Sequence, residues 1–396
     1  MLIDDLPTPC LLVERRRLDA NLARMQALAD ARNVRLRPHT KTHKSAVIAR
    51  QQLDGGARGI TVAKVSEAEV FAGAGFEDIR VAFTVVSRDR HERLRKLGRQ
   101  ARISFCVDTR AGAEIASAFY ADQDAPAEVL VEVDVGHGRA GVRWDDAASI
   151  DFVRFVAGLP GLRLAGILTH AGQSYLGPRG DETRENALRR VAAEERDRML
   201  DFAARLYQAG VPGVSPDAPP DAAGAFEISI GSTPSMRYFE NRTHEGFRIT
   251  EIRPGNYVFH DAIQVALGVA DWPDCALTVL ATVVSKHRDA SGQERLFLDA
   301  GKKILTADTG YGTDGYGRIL YNARTMQPLP HAHLAALSEE HGWVRIPGGA
   351  TLDVGDRIRV VPNHACLSVN TQDLLYVIDG EAVVDTLPVD ARGCVY

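Results

Sequence analysis

Val34-Arg35-Leu36-Arg37-Pro38-His39-Thr40-Lys41-Thr42-His43-Lys44-Ser45 sets a short apolar run against a polar turn holding two lysines and two histidines. The run reads as a strand, Val34–Pro38, feeding a loop. Six more strand-like runs follow: Gly59–Ala63, Ile79–Phe83, Ile103–Val107, Glu128–Val133, Leu162–Thr169 and Phe226–Ile230. Helical patterns separate them, the first six at spacings of roughly 20 to 35 residues, the sequence form of repeated βαβ units. Seven or eight such units in about 230 residues predict an α/β fold, a (β/α)8 TIM barrel rather than an open sheet. In that barrel the strand C-terminal ends face the mouth, so Lys41, first after the strand, is expected nearest the axis.

Near Arg253 the helical period fades. Ala276–Lys286, Glu294–Asp299, Trp343–Arg345, Arg357–Val361 and Leu374–Ile378 read as strands of a second, mainly β domain, with turn signals such as Asp379-Gly380. The expected division is a barrel over 12–255 and a mainly antiparallel β domain over 256–396. Val211–Gly224, rich in Pro, Asp and Ala, reads as a surface loop without chemistry.

The chain has 396 residues, 45% hydrophobic and 25% charged, with a net charge of −5. These values exclude a disordered chain or a coiled coil. A nucleic-acid partner is not expected at this charge, nor a membrane span, since no apolar run approaches ~18 residues. The opening MLIDDLPTPC has neither the basic nor the apolar region of a secretory signal. The five cysteines are therefore read as reduced thiols in a cytoplasmic protein.

Several strand ends carry chemistry. A lysine desolvated at a barrel mouth loses proton affinity and becomes a nucleophile, which makes Lys41 the candidate. Arg139 lies among glycines in Gly136-His137-Gly138-Arg139-Ala140-Gly141 and suits a phenolate or carboxylate. Thr169-His170-Ala171-Gly172-Gln173-Ser174-Tyr175 ends another strand. Gly231-Ser232-Thr233 offers amides and hydroxyls for a phosphate, and Tyr257 could add a further hydroxyl. In Pro362-Asn363-His364-Ala365-Cys366, an extended backbone would put His364 and Cys366 on one face, able to clamp one metal ion. Imidazole plus thiolate favours zinc, and two protein ligands leave an open site.

Taken together, Leu6-Pro7-Thr8-Pro9, Arg37-Pro38-His39-Thr40-Lys41-Thr42-His43-Lys44, Gly231-Ser232-Thr233-Pro234, Arg253-Pro254-Gly255-Asn256-Tyr257 and Pro362-Asn363-His364-Ala365-Cys366 carry a resemblance over nearly the whole chain. The chain resembles the fold-type III pyridoxal-phosphate enzymes of alanine racemase architecture, in the branch of D-serine dehydratase and D-threonine aldolase. The resemblance implies that Lys41 carries the cofactor as a Schiff base and that Arg139 bonds its ring hydroxyl. It implies that Gly231, Ser232, Thr233 and Tyr257 hold its phosphate, with Tyr175 a further cofactor contact. His364 and Cys366 would bind a divalent metal: zinc, with manganese or magnesium as alternatives. The β domain, joined by a strand from residues 1–11, would face a partner's barrel, implying a homodimer.

The implied substrate is a small D-3-hydroxy amino acid. Two outcomes follow: elimination of water to a 2-oxo acid and ammonia, or retro-aldol cleavage to glycine and an aldehyde. Cleavage needs a base for the β-hydroxyl, for which His43 and His170 are candidates. The dehydratases of this branch resemble His-x-Cys, whereas the aldolases often carry His-x-Asp, so Cys366 favours the dehydratase. A racemase needs a second base where the His-x-Cys pair would lie. A non-catalytic cofactor-homeostasis protein of this barrel type lacks the β domain, whereas about 140 residues follow Arg253 here.

Overall fold

The computed structural model describes residues 1–123, 125–216, 224–288, 290, 292, 294–347 and 352–396. Residues 217–223 of the loop read from the sequence lie outside the described residues.

Strand β1 spans Cys10–Glu14, and β2 Arg35–Leu36, β3 Ile60–Val62, β4 Asp78–Thr84, β5 Arg102–Val107 and β6 Ala127–Asp134 follow. A short β7, Val142–Arg143, flanks β6, and β8 Leu162–Leu168, β9 Glu227–Ile230 and β10 Glu251–Ile252 complete the N-terminal half. The parallel order is β2-β10-β9-β8-β6-β5-β4-β3. The ring closes between β2 and β3, where Arg58 N donates to Leu36 O and Thr61 N to Pro38 O, both at 2.8 Å. All seven expected strands are present, and helices fall in the expected intervals. The eighth strand, Glu251–Ile252, escaped notice because two residues show no period; the motif from Arg253 onward begins only after it.

Apolar residues from strands and helices, among them Ile60, Val81, Phe105, Val131 and Ile228, build the larger core. The lower interior of the barrel is charged instead. Arg37 Nε donates to Glu251 Oε2 at 2.6 Å, and its Nη1 to Asp78 Oδ1 at 2.7 Å. Arg80 bonds both Glu251 and Glu227. Each guanidinium thus meets carboxylates, the condition under which charges survive burial.

The second unit is a β domain. Its strands are β11 Leu277–Arg288, β12 Glu294–Leu298, β13 Gly317–Asn322, β14 Gln327–Pro328, β15 His333–Leu337, β16 Gly342–Arg345, β17 Arg357–Pro362, β18 Leu374–Asp379 and β19 Ala382–Pro388. Most neighbours are antiparallel. The exception is β1, which pairs antiparallel with β11 and parallel with β18. The chain's first strand therefore sits inside the last domain's sheet, and Leu11 and Val13 are fully buried in its core. Burial of each contributes about 1.5–3 kcal/mol. Among the described residues no helix is long and apolar enough to cross a membrane.

Candidate active site

The polar turn after β2 folds locally. Thr40–Thr42 form a 3-10 turn capped by His39, whose Nδ1 accepts from Lys41 N at 3.4 Å. Lys41 lines a cavity of about 670 Å³ at the C-terminal ends of the barrel strands. Arg139, His170, Tyr175, Gly231, Ser232, Thr233, His364 and Cys366 line the same cavity.

Two of the expected residues stay out of it. His43 is fully buried, with Nδ1 accepting from Ser45 N at 3.1 Å, and burial holds its pKa down at about 3. It caps the end of the 3-10 turn and does not line the cavity. Tyr257 packs in the β-domain core and its hydroxyl accepts from Gln52 Nε2 at 2.9 Å. Its backbone neighbours Gly255 and Asn256 line the cavity instead.

Burial lowers the pKa of Lys41; Cys366 opposes that effect, and the Arg139 guanidinium adds to it. Burial, with Lys41 and Arg139 beside it, also pushes His170 well below the ordinary imidazole value. His170 Nδ1 lies 3.3 Å from Gly231 O. A neutral ring facing a carbonyl carries its proton on Nδ1, which leaves Nε2 an acceptor. Arg139 is half-exposed, with Nη2 3.4 Å from Glu132 Oε1.

The Gly231 loop lines the same cavity. Gly231 has φ +135°, which favours glycine. Its N–H donates to Glu195 Oε1 at 2.8 Å and is not available to a phosphate. Ser232 Oγ lies 2.9 Å from Ser174 Oγ. Thr233 Oγ1 accepts from Tyr257 N at 3.1 Å, which leaves its own hydrogen for another acceptor. The cavity floor is Arg253, whose Nη2 donates to Thr169 O at 2.5 Å while Nη1 bonds Ser229 Oγ. Ser229 in turn donates to Glu251 at 2.6 Å, tying the floor to the charged barrel interior.

His364 and Cys366 meet, but not on an extended strand. The strand β17 ends at Pro362, and His364 precedes a helix, Ala365–Asn370, that carries Cys366 in its first turn. Asp261 anchors that turn: Oδ2 accepts from Ala365 N at 3.0 Å and from Asn256 Nδ2 at 2.6 Å. His364 Nδ1 lies 2.5 Å from Asp308 Oδ2. Burial opposes charge on His364, yet Cys366 and Asp308 raise its pKa well above the ordinary value. Burial likewise opposes the Cys366 thiolate, but His364 and the Thr42 hydroxyl, 3.2 Å from Sγ, lower its pKa. Among the described residues no group of three His, Cys, Asp or Glu side chains converges as a complete metal cage. Asp308, Asp261 and Glu195 had no sequence signal, because each acts through a fold contact far along the chain. Asn256 and Arg253 stood in a quoted motif without an assigned role.

The cavity fits a pyridoxal phosphate. Its volume suits a cofactor with a small substrate. Its lining holds the Thr233 hydroxyl, the low-affinity amine of Lys41 and the Arg139 guanidinium. A Cβ at Gly255 would stand 3.0 Å from both His39 O and Thr42 Oγ1, so that edge stays narrow. The donor set of His364 and Cys366 fits a divalent metal: a carboxylate takes the second imidazole nitrogen, the usual arrangement for a metal-binding histidine.

Residues 13–261 match the alanine racemase N-terminal domain family, and residues 276–378 the serine dehydratase domain family. The chain is 35% identical to D-threo-3-hydroxyaspartate dehydratase of Delftia sp., over 91% of each chain. It is also 35% identical to D-threonine aldolase of Arthrobacter sp., over 98% of this chain and 93% of that one. The solved Delftia dehydratase superposes with a TM-score of 0.85 and 32% identity, covering 98% of both chains. That dehydratase has also been solved with a histidine replaced, and, in a metal-free form, with a cysteine two positions further on replaced. Fold, motifs and sequence agree: the chain belongs to the family that joins an alanine racemase N-terminal domain to a serine dehydratase domain.

Proposed function

We propose that the protein is a pyridoxal-phosphate- and metal-dependent lyase that removes water from a D-3-hydroxy amino acid, giving a 2-oxo acid and ammonia. The observation that carries this reading is the convergence of Lys41, His170, His364 and Cys366 on one cavity. Pyridoxal phosphate, when bound, draws electrons from the amino acid's Cα and weakens the bonds there. A metal on His364 and Cys366 supplies Lewis acidity toward an oxygen.

The chain's own residues do the rest. Lys41 would anchor the cofactor covalently, and its amine would take the Cα proton. Its lowered pKa keeps the neutral amine available. Arg139 pairs with the ring hydroxyl, and Ser232, Thr233, Gly255 and Asn256 hold the phosphate. Tyr175 lines the cavity together with His364 and would face a bound cofactor there; burial raises its phenol pKa, so it stays protonated. The thiolate of Cys366 selects a borderline-soft ion, zinc before manganese or magnesium. Asp308 fixes the tautomer of His364, so that Nε2 is the ligating atom.

One observation favours the retro-aldol reading as an alternative. Neutral His170 offers Nε2 as an acceptor inside the cavity and could take a β-hydroxyl proton. The 35% identity to an aldolase points the same way. Chelation decides whether the metal pair serves the reaction: it should abolish ammonia release from D-serine and D-threo-3-hydroxyaspartate while bound pyridoxal phosphate remains. Full activity in metal-free protein would contradict the reading. A homodimer in the cytoplasm goes with this proposal, and light scattering would give the mass of the assembly.

A further inference from the structure

The second lysine of the polar turn does something different from the first. Lys44 is buried at φ +51°, a left-handed conformation that a lysine adopts only where surrounding contacts hold it. Its Nζ lies 2.8 Å from Glu67 Oε1 and donates to Cys394 O at 3.0 Å and Ala391 O at 3.3 Å. Its backbone joins the same contact, since Ala391 N donates to Lys44 O at 3.0 Å. Around this point residues 390–396 lie against the barrel mouth. Ala46 N donates to Asp390 Oδ2 at 2.7 Å, and Ser66 N and Oγ both donate to Tyr396 O, at 3.1 and 2.6 Å. Between these pins, Cys394 and Val395 line the cavity that holds Lys41.

We propose that Lys44 is a positioning residue, which fixes residues 390–396 as a wall of the active-site cavity and so sets how tightly the substrate is held. The charge of Nζ is satisfied by Glu67, and its remaining hydrogens are spent on two carbonyls of the segment. One side chain thus joins the loop after β2, the helix Val65–Gly73 and the segment. The wall lines the cavity together with Lys64 and Phe83, whose ring centroid lies 3.6 Å from Lys64 Nζ. Lys44 and Glu67 line the same cavity and Glu67 acts on Lys41, whereas Ser66 does not line it, so Ser66→Ala separates loosening of the wall from any direct effect on the cofactor. This inference rests on the lyase reading for its kinetic arm only.

The test uses the full-length holoenzyme with Lys44→Met and Glu67→Gln combined, which leaves no buried charge unpaired. Ser66→Ala is the milder second variant, removing only the Tyr396 pin. Two quantities are read: the rate at which iodoacetamide labels Cys394, followed by peptide mass spectrometry, and kcat and KM with a D-3-hydroxy amino acid. Labelling of Cys394 should rise roughly tenfold in the double variant and less in Ser66→Ala, as local opening becomes easier. KM should rise about tenfold with kcat changed less than about threefold, the mark of lost uniform binding. The visible absorption of the bound cofactor should not move in Ser66→Ala, which leaves Lys44 and Glu67 in place. Unchanged labelling would overturn the clamp, and faster labelling without a rise in KM would overturn the wall. If wild-type protein turns over no D-3-hydroxy amino acid, the lyase reading fails, while the labelling arm still decides the clamp.

Discussion

His364 Nδ1 and Asp308 Oδ2 lie 2.5 Å apart, so a residue from the loop before β13 fixes the ring of a candidate metal ligand after β17. With Nδ1 committed to the carboxylate, Nε2 is the only nitrogen left to bind an ion. Asp308→Ala should lower metal affinity about 10- to 100-fold. Competition with a chelator of known affinity would measure this, and an unchanged dissociation constant would refute it.

Lys41 and Lys44 are three residues apart and chemically unlike. Lys44 is tied to Glu67 and two carbonyls, whereas Lys41 loses proton affinity through burial. Purified protein should be yellow. Borohydride reduction should fix pyridoxal phosphate on Lys41, and Lys41→Ala should lose both the visible band and turnover. A label on Lys44 would contradict the assignment.

Glu251 is fully buried between Arg37 and Arg80 and also accepts from Ser229. Glu251→Gln leaves two guanidiniums without their shared counter-charge. The expected loss is about 3–5 kcal/mol, the cost of breaking a buried pair from one side. Urea denaturation monitored by circular dichroism would read it; a shift below about 1 kcal/mol would show that Asp78 and Glu227 suffice.

Burial lowers the pKa of His43 to about 3 and those of His91 and His260 to about 4. In the unfolded chain each titrates near 6.5. Between those values the unfolded state binds protons that the folded state does not, so stability rises with pH and falls on acidification. Each histidine contributes a slope of up to about 1.4 kcal/mol per pH unit below pH ~6.5. The denaturation midpoint should therefore drop between pH 7 and 5. His91 lies among Phe105, Phe119 and Tyr120, so His91→Leu should remove its share of the slope; an unchanged slope would count against a neutral buried His91.

The barrel was legible because its strands recur as short apolar runs with a helix in each interval. Glu251–Ile252 was not, since two residues carry no periodicity, and β13, β15 and β19 lacked the long apolar runs of β11. At the site, strand-end position identified Lys41, His170 and the Gly231 loop. His43 and Tyr257 do not line the cavity: a 3-10 turn runs through or up to each of these points, and a turn sends neighbouring side chains to different sides. The pairing of His364 with Cys366 was anticipated on an extended backbone, and the structure achieves it across a helix start held by Asp261. Contacts such as Asp308 to His364 and Lys44 to residue 394 join positions 56 and 350 residues apart, beyond the reach of any local pattern.

The central claim is the elimination of water, and product analysis tests it most directly. Purified protein with pyridoxal phosphate and zinc would be incubated with D-serine, D-threonine and D-threo-3-hydroxyaspartate, each beside its L enantiomer. A 2-oxo acid and ammonia are expected in equal amounts from D substrates only: pyruvate from D-serine or 2-oxobutyrate from D-threonine. Glycine and acetaldehyde from D-threonine, with no ammonia, would contradict it and establish retro-aldol cleavage instead.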